Sequence, residues 1–461
     1  MIPRRRRRRP PERLDLIYFL YSVVLAAAML LSLPYWLYQM LRHGKYRAGI
    51  AERLGAVPPR LAAVRFAKEE EPKCSIWLHA VSVGEVLATS GLVEELKRKF
   101  PYHHIVLSTT TDTGQQLART RFGEERVFYF PIDFAFAVRP YLRALKPEMV
   151  ILAETEFWPN FLRLAHASGA RVCVVNARIS DRSWPNYRRF RWALTKMLAH
   201  IDLFLAQTPE DASRLASIGA RPERINVAGN LKFDLRLPTP PTIVEDLRQA
   251  LSAERAGPVL VCGSTVDGEE PPLLKAFENV RVEHPCAVMI LAPRRPERFD
   301  EVAILVRQLG IPSFRRSQWH GESLAGSVFL LDSIGELTSL YALADVAFVG
   351  GSLLPRGGHN IIEPAQHGVA IVVGNHTENF RDIVTLFRSR DAVRIATLAE
   401  LPLTLMHLLA NDTERLGLGR RALETLQSQT GATARTVEAL QRLLSEVRAP
   451  QPFPAKAAHI D

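Results

Sequence analysis

The sequence predicts an α/β protein: two doubly wound domains in tandem behind an apolar N-terminal helix. Three observations carry this. Short apolar runs alternate with amphipathic stretches along most of the chain, the pattern of a parallel sheet covered on both faces. A proline cluster, Pro238, Pro240 and Pro241, interrupts that alternation near its middle. The first apolar run, residues 16–33, contains no charged residue.

At 461 residues, the chain exceeds one domain of ordinary size. With 47% hydrophobic and 23% charged residues it is globular rather than disordered. A formal net charge of +11 calls for an anionic partner: nucleic acid, acidic lipid or a phosphorylated substrate. No nucleic-acid-binding signature accompanies the charge, so nucleic acid is the weakest of these. Cys74, Cys173, Cys262 and Cys286 are scattered without metal spacing. They read as small core residues in a reducing compartment.

Residues 1–15 form a basic segment with arginines at 4–9, and residues 16–41 form the membrane anchor. At about 1.5 Å per residue that run is long enough to cross a bilayer core of about 30 Å. Tyr35, Trp36 and Tyr38 at its end suit an interfacial belt. No small-residue cleavage site follows, which argues against a signal peptide. Basic residues flank both ends, Arg42, Lys45, Arg47 and Arg53 on the far side, so charge alone leaves the orientation open. Pro34 also leaves open a segment lying in one leaflet.

A basic connector, 42–72, leads into a first domain, 73–234, with strand-like runs SIWLHAV, HIVLST, RVFYF, MVILAE, RVCVVNA and LFLAQ. A linker at 235–246 precedes a second domain, 247–447, with PVLVCGS, CAVMILA, SVFLLD, ADVAFVGG and VAIVVG. The tail 448–461 reads as disordered. Ligands of such sheets bind beyond the carboxyl ends of the strands, and two such domains leave a cleft between them.

The polar motifs sit at those ends. In HAVSVGEV, Glu85 falls in the first turn of a helix. It is either a dipole-favoured acid or, ionised at neutral pH and facing a hydroxyl, a general base. In ETEFWPN, Glu154 and Glu156 would point to opposite sides of an extended stretch, and Pro159 opens a helix. Lys232 in GNLKFD is an exposed lysine or an anion ligand. GSTVDGEE resembles a small-residue loop feeding a helix N-terminus, a weak anion-site signal. Arg294, after Pro293 in LAPRRPERF, is placed to pair with phosphate. SIGEL reads as a capped helix start. In GGSLLPRGGHNIIEPAQHG, the pairs Gly350–Gly351 and Gly357–Gly358 would let backbone amides approach a phosphate. Asn360 and Glu363 match a cap with an acid three residues on.

The ordered set HAVSVGE, TETEFWPN, VNARIS, GNLKFD, APRRPERF, IGEL, FVGGSLLPRGGHNIIEP and GNHTENF resembles the 3-deoxy-D-manno-octulosonic acid (Kdo) transferases of lipopolysaccharide synthesis. The resemblance runs from the anchor to about Asp382. It implies a GT-B fold, two Rossmann-like domains facing a cleft. It also implies inverting transfer of Kdo from a CMP-Kdo donor onto the lipid A precursor lipid IVA, with no cofactor or catalytic metal. Carried over, Glu85 is the base, and Glu154 and Lys232 stabilise the transition state. Pro293, Arg294, Ile334, Gly335, Glu336, Asn360, Ile361, Ile362 and Glu363 hold CMP. Arg356 and His359 lie beside the site without a step. Asp112, Ile361, Ile362 and Asn375 depart from the family's usual residues. The resemblance further implies an inner-membrane protein with its catalytic domains on the cytoplasmic side. The alternative is another GT-B nucleotide-sugar enzyme, a UDP-sugar transferase or epimerase. A membrane-anchored adaptor would more naturally have lost Glu85, Lys232 or Glu363.

Overall fold

The structure, a computed structural model, describes residues 15–43, 48–61, 74–181, 183–234 and 239–446. It divides into two compact units: residues through Leu235 together with those from Gly431, and Arg236–Thr430. The basic segment before Asp15 and the tail 448–461 lie outside the described residues.

Among the described residues of the first unit, seven parallel strands run in the order β3-β2-β1-β4-β5-β6-β7. They are β1 Ser75–His79, β2 His104–Thr109, β3 Val127–Tyr129, β4 Pro147–Ala153, β5 Arg171–Ala177, β6 Leu203–Ala206 and β7 Ile225–Val227. The strands read as continuous apolar runs because both faces are covered. Along β1, Trp77 packs into one core with Phe128 and Phe161, while Ile76 and Leu78 pack into the opposite one. Each large apolar side chain buried in this way contributes roughly 1.5–3 kcal/mol.

In the second unit, β8 Val259–Thr265, β9 Val288–Pro293, β10 Ser313–Arg315, β11 Val328–Leu330, β12 Val346–Val349, β13 Ala370–Val373 and β14 Arg394–Ile395 form a parallel sheet. Its order is β10-β11-β9-β8-β12-β13-β14. Leu260 and Cys262 face one core, Val259 and Val261 the other. In each sheet the strand order reverses beside the first strand, where β1 meets β4 and β8 meets β12.

The N-terminal helix runs Asp15–His43. Within the expected connector, described residues 48–61 pack on the first unit: Leu61 is buried in the first core, and the Tyr141 hydroxyl donates to the Glu52 carbonyl. Three expectations are corrected. Helix Thr242–Ala253 begins inside the expected linker. The last helix, Ala432–Ser445, belongs to the first unit rather than to the domain that precedes it. Its Ala432, Val437, Leu440 and Leu443 join the core of Ile76 and Leu78, and Asp234 accepts from the Gly431 and Thr433 N–H groups at its start. Amphipathic periodicity says that a helix needs a sheet, not which sheet. Finally, Cys74 and Cys286 are exposed, and only Cys173 and Cys262 are core residues.

Candidate active site

In the first unit the chemistry gathers at the carboxyl ends of β1 and β4. After β1 the chain turns into helix Val83–Lys99, and Glu85 lies in its first turn. Its carboxylate folds back to accept from the Val81 N–H at 2.7 Å and the Ser82 hydroxyl at 3.0 Å. Only 8% of the residue is exposed. Burial pushes its carboxyl up to about 7, and the Glu154 and Glu156 carboxylates add to this; the Val81 and Ser82 hydrogen bonds oppose it. The expected fully ionised acid is therefore corrected. Desolvation outweighs the helix terminus, and the group exchanges a proton near neutrality.

Glu154 follows β4 with φ 57°, left-handed backbone for a residue with a side chain. That conformation costs on the order of 1 kcal/mol and is held by the Glu154 N–H bond to the Val175 carbonyl at 2.9 Å. The stretch is thus not extended, and Glu154 and Glu156 both act on Glu85 instead of pointing apart. Burial, then Glu154, raises the Glu156 carboxyl. Lys232, in the short helical turn Leu231–Asp234, brings its Nζ to 3.5 Å from Glu154 Oε1, both side chains partly exposed. The three expected catalytic residues therefore stand together. His79, from the same HAVSVGE motif, is a core group: it stacks on Phe130, and burial holds its imidazole down at about 3.

In the second unit a cavity of about 800 Å³ opens beyond β8 and β9, lined by Thr265, Arg294, Arg295, Arg298, Arg356 and His359 among others. Pro293 ends β9 and is buried; the Arg294 N–H donates to the Thr265 carbonyl at 2.9 Å. Arg294 also acts on His359 and Glu363. The Thr338 hydroxyl donates to Glu363 Oε2 at 2.8 Å, which ties segment 334–338 to this wall. Burial raises the Glu363 carboxyl against the pull of Thr338, Asn360 and Arg294. Ile334 is exposed, Gly335 is in left-handed backbone, and Glu336 is engaged by Arg316 at 3.0 and 3.2 Å.

The glycine-rich stretch departs from expectation. The amides at Gly351, Ser352 and Leu353 are already used: all donate to the fully buried Glu269 carboxylate, at 2.7, 2.9 and 2.9 Å. The Val266 N–H is its fourth donor, at 3.0 Å. The small-residue loop GSTVDGEE therefore supplies an anion rather than awaiting one. A Cβ on Gly350 would stand 2.6 Å from the Ser264 carbonyl, and one on Gly351 2.6 Å from the His359 ring. Close packing, not phosphate approach, requires glycine there. Asn360 stands one residue before the cap position, Ile361, but still serves the helix start: its Oδ1 accepts from the Ile362 N–H at 3.1 Å and its Nδ2 donates to Glu363 Oε1 at 3.3 Å. Ile361 and Ile362 are fully buried, so only their backbone is available to a ligand.

A family model described as 3-deoxy-D-manno-octulosonic-acid transferase (kdotransferase) matches residues 48–235. The chain is 35% identical over 413 residues to the 3-deoxy-D-manno-octulosonic acid transferase of Bordetella pertussis, covering 85% of this chain and 94% of the relative. It is 31% identical over 432 residues to the enzyme of the same name from Haemophilus influenzae, covering 92% and 98%. The chain belongs to the Kdo transferase family. It is a glycosyltransferase of lipopolysaccharide synthesis with a GT-B type fold. A putative UDP-N-acetylglucosamine 2-epimerase from Listeria monocytogenes, at 14% identity and a TM-score of 0.53, covers 83% of the chain and all of its own, and shares the fold alone.

Sequence reasoning about this Kdo transferase missed three supporting groups. Asn176, in left-handed backbone, accepts from the Leu231 N–H at 3.0 Å and so sets the turn that carries Lys232. Glu269 organises the glycine-rich loop. Glu270, fully buried, takes the Thr265 hydroxyl at 2.8 Å and Arg298 at 2.6 Å, which fixes one edge of the cavity. The signal for the last two was a pair of adjacent acids at the start of an amphipathic helix, directly before its buried Leu273 and Leu274.

Proposed function

We propose that this Kdo transferase moves Kdo from CMP-Kdo onto lipid IVA, inverting the anomeric centre. Glu85 removes the proton of the acceptor hydroxyl as it attacks. Lys232, held by Glu154, and Arg294 meet the charge that develops as CMP leaves. Pro293, Ile334, Gly335, Glu336, Asn360 and Glu363, with the backbone of Ile361 and Ile362, form the nucleotide-binding segments. The N-terminal helix associates with the inner membrane, and the catalytic units lie on the cytoplasmic side, where CMP-sugars are made. The observation that carries the reading is the Glu85 carboxyl, buried beside Glu154 and Glu156 and raised to about 7, since a general base works best with a pKa near the ambient pH. Incubation with CMP-Kdo and lipid IVA, read by mass spectrometry, is expected to show acceptor mass increased by whole Kdo units. Turnover of a UDP-sugar with none of CMP-Kdo would overturn the proposal.

A further inference from the structure

We infer that the helix Asp15–His43 does not cross the bilayer. It lies in the plane of one anionic leaflet with both ends on the same side, and Phe190 and Trp192 share that lipid surface. The inference rests on the membrane association proposed above and adds its geometry.

The start of the helix is fastened to the first unit. The Tyr18 hydroxyl is 2.8 Å from His200 Nε2, and the Arg163 guanidinium lies 4.8 Å over the Tyr18 ring. Asn160 Nδ2 donates to the Ser22 hydroxyl at 3.0 Å, and the Tyr21 hydroxyl bonds Asp133. Tyr18 is 4% exposed. Whichever side of a membrane the first unit occupies, these first two turns occupy it too.

The other end returns to the same unit. Gly49 packs against the Tyr129 ring so closely that a Cβ would overlap it. The Arg53 guanidinium lies 4.4 Å over that ring and donates to the Thr110 carbonyl at 2.6 Å. From Ser22 to His43 the helix is about 32 Å long at about 1.5 Å per residue. From His43 back to Gly49 the chain reaches at most about 23 Å, at about 3.8 Å per Cα step. A helix standing upright would leave His43 beyond a hydrocarbon core of about 30 Å, with too little chain to bring Gly49 back. Length and hydropathy allow a span; the two attachments do not.

Between the attachments the helix is bare. Its apolar window is only 6% buried, and Leu30 and Leu31 are 70% and 85% exposed. An apolar surface of that extent needs a cover. The segment leading to His200 adds to it: Phe190 and Trp192 are exposed, with exposed Arg188, Arg189 and Arg191 between and before them. Aromatic rings at headgroup depth with arginines beside them suit an anionic interface. The basic flanks now agree with each other. Arginines 4–9 and Arg42 both belong on the negative, cytoplasmic side, which a spanning helix could not satisfy.

The test uses the full chain with exposed Cys74 and Cys286 replaced by serine. Single cysteines are introduced as Pro11→Cys or Arg42→Cys and treated with a membrane-impermeant maleimide in inner-membrane vesicles of both orientations. Both positions are expected to react in inside-out vesicles, with labelling lost in right-side-out ones. Reaction of either position in right-side-out vesicles would overturn the inference. Absence of the chain from the vesicle pellet would instead sink the membrane reading itself. An environment-sensitive fluorophore on Trp192→Cys is expected to shift to the blue on adding phosphatidylglycerol vesicles. No shift there, while one on Leu31→Cys responds, removes Phe190 and Trp192 from the lipid surface.

Discussion

Glu85 stands between two opposing influences, a helix start and a backbone N–H that favour its charge, and burial beside two other acids that does not. Burial dominates and raises the carboxyl to about 7. As a base it must be ionised, so kcat/KM is expected to rise with pH to a plateau above about 7 and to fall tenfold per unit below it. A profile flat from pH 5 to 8 would exclude the assignment. The same shift has a stability consequence of definite sign. A carboxyl whose folded value is raised above its unfolded one costs nothing below about 4.5; the cost builds as pH rises from there and is complete above about 7. The full cost, at alkaline pH, is about 3 kcal/mol. Glu85→Gln is therefore expected to abolish transfer while raising the melting temperature above pH 7; a variant that is inactive because it unfolds would contradict this. The sequence placed Glu85, Glu154 and Lys232 as candidates, each with an ordinary explanation beside it. Their convergence was not legible, because it depends on the left-handed turn at Glu154 and on Asn176 holding the turn after β7.

The glycine-rich connection after β12 shows how an element can be recognised and its working misread. The motif does stand beside Arg294, which acts on its Glu363, but its amides serve Glu269. Periodicity cannot reveal that a carboxylate from the turn after β8 reaches across to the turn after β12, since strand adjacency is not written in either segment. Glu269→Ala would strand four backbone donors, a loss on the order of 4 kcal/mol or more. Glu269→Gln should be nearly as damaging, because its NH₂ would face two of those donors. Thermal unfolding checks both; a glutamine variant as stable as the parent would refute the latch.

At the scale of the molecule, the alternation of apolar runs with helices specified two parallel sheets, and the proline cluster separated them. It did not specify where the chain's ends go. Leu440→Ala, at a fully buried position, is expected to cost about 2–5 kcal/mol. Hydrogen exchange should rise in β5 and helix Val83–Lys99, which pack against the last helix, and not in β8–β14. Increased exchange confined to the second sheet would return that helix to the domain it follows in sequence.

By itself the sequence determined the fold class, the family and the residue types at each strand end, because these rest on local period, turn chemistry and motif order. Only the tertiary structure decided which sheet the last helix completes, that the glycine amides hold a protein carboxylate, and that the start of the apolar helix and the chain from Gly49 pack on one unit. Each is a contact between segments distant in the chain, and such contacts are set by how closed surfaces fit, not by the pattern within either segment.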